Sequence, residues 1–206
     1  MDIQFYGANC VVLSAKGVRF VVDDNLAELG AKSVAKADDV SLYTGVHEGG
    51  NGRLILDSPG EYEVSDVSII GIAARAHTDE PDKKTATIFK LTAGDTNIVV
   101  TGHVYPELSE AQMEAIGMVD ILVVPVGGNG YTVDPVGALK LIKEIEPKLV
   151  VPTHYADKAL KFPVPQQELS AALNELAMEP KETVAKLKYK PGEASDVTQL
   201  IILEKS

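Results

Sequence analysis

Four histidines are the residues of this 206-residue chain best suited to carry chemistry. Each one comes just after a predicted strand: His47 after 39–43, His77 after 67–74, His103 after 97–101 and His154 after 149–152. Residues that follow strands gather at one edge of the sheet in α/β proteins. Neutral imidazole is the commonest metal ligand in proteins, and several imidazoles together suit Zn²⁺. The spacing therefore permits a shared metal site, and a chance scatter of loop histidines is an equal alternative.

Carboxylates lie in loops of the same kind and could join such a site. Asp23 and Asp24 follow one predicted strand, while Glu48 and Asp79 lie close to two of the histidines. Cys10 is the only cysteine, which excludes both a disulfide framework and a cysteine-based zinc site. Ser14, Ser58 and Cys10 have no histidine beside them in the sequence to act as a base, so nucleophilic catalysis is not indicated.

The elements that must position these side chains change character near the middle of the chain. The first hundred residues contain short β-branched segments separated by glycine turns, with one helical period over 26–37 that Gly30 weakens. The second half alternates: a capping-box helix over 109–117, a buried strand over 119–126, a helix after Asp134-Pro135, a strand over 148–155, a helix over 165–178 and a last strand over 197–204. This order predicts a layered α/β fold in one domain, 1–206, with the Gly127–Gly130 loop shaping a pocket rim before Tyr131.

The composition narrows the class of protein. The net charge of −11 argues against a broad basic face for nucleic acid or anionic membrane. The N-terminus lacks a basic leader, and no apolar run is long enough to span a bilayer. We therefore expect a cytoplasmic protein whose partner is a small molecule, with no nucleic acid or membrane partner.

Several stretches of the chain resemble the metallo-β-lactamase fold superfamily, and most closely its small metal-dependent hydrolases, the branch that includes lactonase-like ascorbate-metabolism enzymes. The matching stretches are QFYGANCVVL at 4–13, RFVVDD at 19–24, VSLYTGVHEGG at 40–50, SPGEYEV at 58–64, VSIIGIAARAH at 67–77, IVVTGH at 98–103 and VDILVVPVGG through KLVVPTHY at 119–155. The resemblance implies an αββα sandwich with a metal site at the sheet edges. Members of this branch often associate, which leaves a homo-oligomer open without deciding the oligomeric state.

The chain departs from the family pattern at most of the metal-binding positions. The family loop Thr-His-x-His-x-Asp-His reads Thr44-Gly-Val-His47-Glu-Gly-Gly50, and an early Gly-His-Ala segment reads Gly7-Ala-Asn9. The family's metal-bridging Asp is replaced by His103, whereas His77 and His154 match family histidines. A two-metal centre needs a bridging water and a larger ligand set. We therefore do not expect the ordinary binuclear site.

Two interpretations remain. In the first, His47, His77, His103 and His154 bind one divalent transition metal, with zinc as the favoured ion. If one imidazole stays out, a metal-bound water could act in hydrolysis, with Glu48 or Asp79 as the activating base. In the second, the chain holds no metal and is a catalytically inactive relative that binds a ligand or partner. The resemblance favours the first, a metal-dependent hydrolase with a His-only, mononuclear site.

Overall fold

Two β-sheets form the centre of the protein. The computed structural model describes residues 1–192, 195 and 197–206. The strands are β1 (Asp2–Gly7), β2 (Cys10–Ala15), β3 (Val18–Val22), β4 (Val40–Leu42), β5 (Leu54–Leu56), β6 (Gly60–Val64), β7 (Val67–Ala74), β8 (Ala86–Ala93), β9 (Thr96–Val100), β10 (Ile121–Pro125), β11 (Leu149–Thr153), β12 (Pro180–Val184), β13 (Leu187–Lys188) and β14 (Gln199–Leu203). The helices are α1 (Glu110–Ile116), α2 (Pro135–Ile145) and α3 (Leu169–Leu176).

The sheets stack face to face and bury the main core between them. One sheet has the order β13-β1-β2-β3-β4-β5, and the other has the order β12-β14-β11-β10-β9-β8-β7-β6. Alternate residues of β1 are buried, as expected for a strand with one face in the core. All residues of β10 and β11 are buried because this parallel pair is covered on both faces. Phe20 and Phe89, one from each sheet, are among the largest fully buried side chains.

The three helices cover the outer face of the larger sheet. Helix α1 carries the predicted capping box, in which Ser109 and Gln112 satisfy each other's backbone N–H groups. Helix α2 begins at Pro135 after the Asp134 cap, also as predicted, and buries Leu141 and Ile142 against the sheet. Helix α3 exists but is shorter than the predicted 165–178. The predicted sandwich is therefore confirmed, with its helices on this side.

The predicted helix over 26–37 is wrong, because this segment forms turns. The Asp24 carboxylate accepts three hydrogen bonds from this segment. The donors are the Ser33 hydroxyl and the backbone N–H groups of Val34 and Ala35. Side chains of this type favour turns by competing for backbone groups. The segment still covers the outer face of the smaller sheet, since Leu26 and Ala35 pack there.

Strands β12 and β13 are absent from the sequence-based interpretation. Both lie at sheet edges, and the five residues of β12 are exposed or half-buried, so they show no alternation of apolar side chains. Among the described residues, no helix has the length and apolar character needed to cross a bilayer.

Candidate functional site

A pocket of about 170 Å³ opens where strands of both sheets end. Strand β3 supplies Asp23, β4 supplies Thr44, β7 leads to His77, and β9 leads to His103. Tyr131, from the loop after β10, completes the wall, as the sequence predicted for this rim. The carboxyl ends of strands in an α/β fold are the usual place for a ligand site.

His103 and His154 are the most closely associated pair of histidines. Their rings meet edge to face with centroids 4.6 Å apart. Tyr131 contacts both rings, at 5.5 Å from His103 and 5.7 Å from His154. His154 lies behind His103, only 3% exposed, and its Nδ1 is 3.1 Å from Oε1 of Gln166. The sequence thus brings together two of its predicted histidines with an aromatic neighbour.

His77 reaches the same pocket from the end of β7. Its backbone N–H donates to the carbonyl of His103 at 2.7 Å, which joins the two loops. Its Nδ1 is buried and has no hydrogen-bond partner among the described residues. Buried polar atoms are nearly always paired, so an unpaired imidazole nitrogen at a pocket wall is a feature that function can explain.

The electrostatic environment keeps these three rings neutral at pH 7. Burial, together with the nearby His103 ring, lowers the pKa of His154 to about 3. Burial also lowers the pKa of His103 and of His77 below the ordinary histidine value. Neutral imidazole is the form that ligates metals and accepts protons.

Asp23 lies beneath these rings with both carboxylate oxygens in use. Oδ1 accepts the Thr44 backbone N–H at 2.6 Å, and Oδ2 accepts the Thr44 hydroxyl at 2.6 Å and the Asn9 amide at 2.5 Å. Burial raises the pKa of Asp23, while the bonds from Thr44 oppose that rise. This carboxylate, which the sequence offered as a ligand, is engaged in a buried protein network.

His47 stands apart from the other three histidines. Its ring stacks on Tyr43 with centroids 3.8 Å apart, its Nδ1 contacts the Gly49 carbonyl, and its Nε2 faces Asp57 at 3.4 Å. It does not line the pocket. The structure therefore separates His47 from the predicted four-histidine cluster, because the glycine-rich loop directs its ring toward the edge strand β5.

Neither of the two predicted bases is among the residues that line the pocket. Glu48 is exposed on the glycine-rich loop. Asp79 closes its own loop, where it accepts hydrogen bonds from the Ala76 N–H and from the N–H and hydroxyl of Thr85. These bonds lower the pKa of Asp79. Asp79 is thus engaged in its own loop beside the lining residues Ala76 and Thr85, while Glu48 faces solvent.

The donor atoms at this site are of a type that binds transition metals, but their arrangement does not form a metal site. Neutral imidazoles and one unpaired nitrogen are the right ligand type. Across residues 1–192, 195 and 197–206, however, no three His, Cys, Asp or Glu side chains are arranged so that they could hold one ion. The predicted four-ligand site is thus not assembled by these residues, and we assign no catalytic step to a metal.

Small residues shape this site, and of these only Gly127, within the Gly127–Gly130 loop, was singled out from the sequence. A Cβ at Gly102, whose φ is +60°, would lie 1.9 Å from the Thr44 hydroxyl oxygen. A Cβ at Gly127 would lie 2.0 Å from the His154 carbonyl oxygen. Asn9 and Thr44 also gave no separate signal, because a polar residue at a strand end is common. For Gly102, the indication in the sequence was its position just after the predicted strand over 97–101.

Comparison with known families identifies the fold. A family profile described as a β-lactamase superfamily domain matches residues 2–154. A curated protein of Carboxydothermus hydrogenoformans, named as a metal-dependent hydrolase, is 37% identical over 67 residues. That match spans 32% of this chain and only 29% of the relative's length.

Solved structures agree on the fold over nearly the whole chain. A Thermotoga maritima protein, provisionally described as a Zn-dependent hydrolase of the metallo-β-lactamase superfamily, has a TM-score of 0.75 and 24% identity, and the match covers 98% of each chain. A metallo hydrolase of Ignicoccus hospitalis has a TM-score of 0.62 and 18% identity, with 92% of this chain and 99% of that one covered.

Proposed function

Because this chain belongs to the β-lactamase superfamily, we propose that it is a metal-dependent hydrolase that works with one divalent transition-metal ion. The observation that carries the proposal is that the neutral imidazoles of His77 and His103 line one strand-end pocket and that His154 packs against His103, although the three rings as they stand do not form a ligand set for one ion. The relatives named as metal-dependent or Zn-dependent hydrolases support it. Imidazole donors suit zinc as well as neighbouring ions, and we favour zinc.

The pocket itself suggests the kind of substrate. Its volume of about 170 Å³ is below the range of roughly 300–1,000 Å³ that drug-sized ligands occupy. No lysine or arginine is among its lining residues. We therefore assign it a small, uncharged substrate. A bound metal would supply Lewis-acid polarisation and a water of lowered pKa.

The chain's own residues would orient and enclose that substrate. Tyr131 forms a wall against His103, and Val46 stands at the opening on the glycine-rich loop. Among the described residues near the pocket, only the neutral imidazole of His77 has a buried nitrogen without a hydrogen-bond partner, so it is the leading donor to the ion. Glu48 and Asp79 take no part in this arrangement.

Metal analysis of the untagged chain, purified without chelators, tests the proposal. We expect about one transition-metal ion per chain, as a mononuclear site requires. His77→Ala and His154→Ala should lose that metal, whereas His47→Ala, outside the pocket, should keep it and serves as the matched control. A panel of small esters, lactones and amides then tests hydrolysis. Substoichiometric metal in the unmodified chain, or equal losses in all three variants, would contradict the proposal.

A second candidate function is a catalytically inactive module that binds a small ligand. The observation in its favour is the state of the carboxylates: Asp23 is saturated by hydrogen bonds, Asp79 closes its own loop, and Glu48 is exposed. Retained ligand binding by a chain without metal and without turnover, detected as a rise in Tm, would support this candidate over the hydrolase.

A further inference from the structure

We infer that Asp23 is a positioning residue that holds His103 and His154 at the pocket through two separate hydrogen-bonded arms. One arm runs through Thr44 to the backbone before His103, and the other runs through Asn9 and Thr153 to the backbone before His154. The inference concerns the pocket of the proposed function, yet it does not require the chain to bind metal or to hydrolyse a substrate.

The first arm fixes His103 by hydrogen bonding followed by close packing. Thr44 gives both its N–H and its hydroxyl to the Asp23 carboxylate, at 2.6 Å each. The Thr44 hydroxyl then lies so close to Gly102 that a Cβ there would be 1.9 Å away. Gly102 immediately precedes His103 in the chain. A change in Thr44 must therefore move the backbone that carries the His103 ring.

The second arm fixes His154 from the opposite sheet. The Asn9 amide donates to Asp23 at 2.5 Å, and its carbonyl oxygen accepts the Thr153 hydroxyl at 2.6 Å. The next residue, His154, donates its own N–H to the Ala8 carbonyl at 2.7 Å. Two adjacent hydrogen bonds therefore join the end of β11 to the turn after β1.

The backbone of His154 shows why it needs such support. Its φ of +54° lies in the left-handed region, which a residue with a side chain adopts only when its surroundings enforce it. Enforcement comes from the hydrogen bonds on either side of it, through Thr153 and through its own N–H. Loss of the Asp23 anchor should release this constraint.

Burial makes the network an all-or-none unit. Asp23, Asn9, Thr44 and Thr153 are at most 3% exposed. Hydrogen bonds in a low-dielectric interior are strong, and a buried group left without its partner is costly. The three donors that Asn9 and Thr44 direct at Asp23 thus specify one arrangement of the carboxylate, and with it one placement of the two rings.

The test uses the fact that the chain has only four histidines, hence four sets of ring signals in an NMR spectrum. Spectra are recorded on the full chain, as purified and after EDTA treatment, at one fixed pH. We expect Asp23→Asn to shift the ring signals of both His103 and His154. Thr44→Val should shift mainly His103, and Thr153→Val should shift mainly His154. Thr44→Ser, which keeps the hydroxyl, should restore the wild-type His103 signal.

The matched control is Asp24→Asn. Asp24 is the neighbouring buried carboxylate and also accepts three hydrogen bonds, but all come from the 33–35 turn. The Asp24→Asn substitution should lower Tm and leave the ring signals of His103 and His154 unchanged. Equal shifts in the Asp23 and Asp24 variants, or unchanged ring signals in Asp23→Asn, would overturn the inference.

Two further features keep this test decisive. If Asp23→Asn does not fold, the single-arm variants carry the test, because a structural role alone would not separate the His103 signal from the His154 signal. Failure of the proposed function has a different signature: absent metal leaves the as-purified and EDTA-treated spectra identical, while the arm-specific shifts persist.

Discussion

Replacement of Gly102 by alanine tests the packing that underlies the pocket. Gly102 has a φ of +60°, and an added Cβ would meet the Thr44 side chain at 1.9, 2.3 and 2.9 Å. No contact this short can be tolerated, so Thr44 must move. Since Thr44 is bonded twice to Asp23, the movement should also break at least one buried hydrogen bond. Gly102→Ala is therefore expected to be among the costlier alanine substitutions in this chain.

The magnitude follows from two contributions that a control can separate. A left-handed alanine costs about 1–2 kcal/mol. Overpacking of a filled interior adds about 1–3 kcal/mol. Gly94 provides the control, because its φ is +58° and nothing lies within 4 Å of its added Cβ. Gly94→Ala should lose only the conformational contribution, about 1–2 kcal/mol, and Gly102→Ala the sum of both, roughly 2–5 kcal/mol.

Urea unfolding followed by circular dichroism measures both variants on the same scale. In a separate thermal unfolding experiment, a difference of about 2 kcal/mol between the two variants should appear as a Tm gap of roughly 4–8 °C for a chain of this size. Equal free energies of unfolding for Gly94→Ala and Gly102→Ala would refute the reasoning. That result would mean that Thr44 yields without cost, and the contact between the ends of β4 and β9 would then not position His103.

Three further predictions concern residues outside the pocket. Asp120 accepts hydrogen bonds from Lys148, Tyr189 and the Asn97 N–H, and the Lys148 bond is the main cause that holds its pKa below the ordinary value. Its stabilising effect is present above the unfolded pKa and fades as the pH falls, so Asp120→Asn should lower the unfolding free energy at pH 7, by about 1–3 kcal/mol, more than at pH 3. Asp79→Ala should speed tryptic cleavage within its loop, since three hydrogen bonds are lost, whereas Glu80→Ala should not. His47→Ala should change Tm little, because its contact with Asp57 is a partly exposed pair worth under about 1 kcal/mol.

The sequence predicted the fold well where periodicity and capping act locally. The capping box of α1 and the Asp134-Pro135 start of α2 both depend on a few adjacent residues, and both are confirmed. The error over 26–37 arose because Asp24 bonds to residues nine to eleven positions ahead, a tertiary preference invisible to a helical period. Strand β12 was not predicted because its residues are mostly exposed and show no alternation of apolar and polar side chains.

The site was predictable only as a neighbourhood. The strand-end rule brought His77, His103 and His154 to one edge correctly. It could not predict that the glycine-rich loop turns His47 toward Tyr43. The strand-end rule also could not predict that both carboxylate oxygens of Asp23 accept hydrogen bonds from Asn9 and Thr44, because those bonds join residues 14 and 21 positions apart. Ligand geometry depends on side-chain direction, which spacing alone does not encode.

The buried network leads to a last prediction, that the fold stands without a metal ion. In this chain, hydrogen bonds through Asn9, Asp23 and Thr44 tie loops of the smaller sheet together, and Thr153 extends the tie to the larger sheet. EDTA-treated protein should therefore unfold in one cooperative transition. Any Zn²⁺ that binds the native state should then add stability by mass action, about 2.7 kcal/mol at a concentration one hundred times Kd.

Urea unfolding with and without added Zn²⁺ measures this directly. Mg²⁺, which prefers oxygen ligands, serves as the control ion and should have no effect on an imidazole site. Loss of cooperative unfolding after EDTA would contradict the prediction, since the ion rather than the network would then join the two sheets. We expect a fold that survives EDTA and gains stability from Zn²⁺, with that gain abolished in His77→Ala and kept in His47→Ala. This result would distinguish the contribution of the polar network to stability from that of the imidazoles.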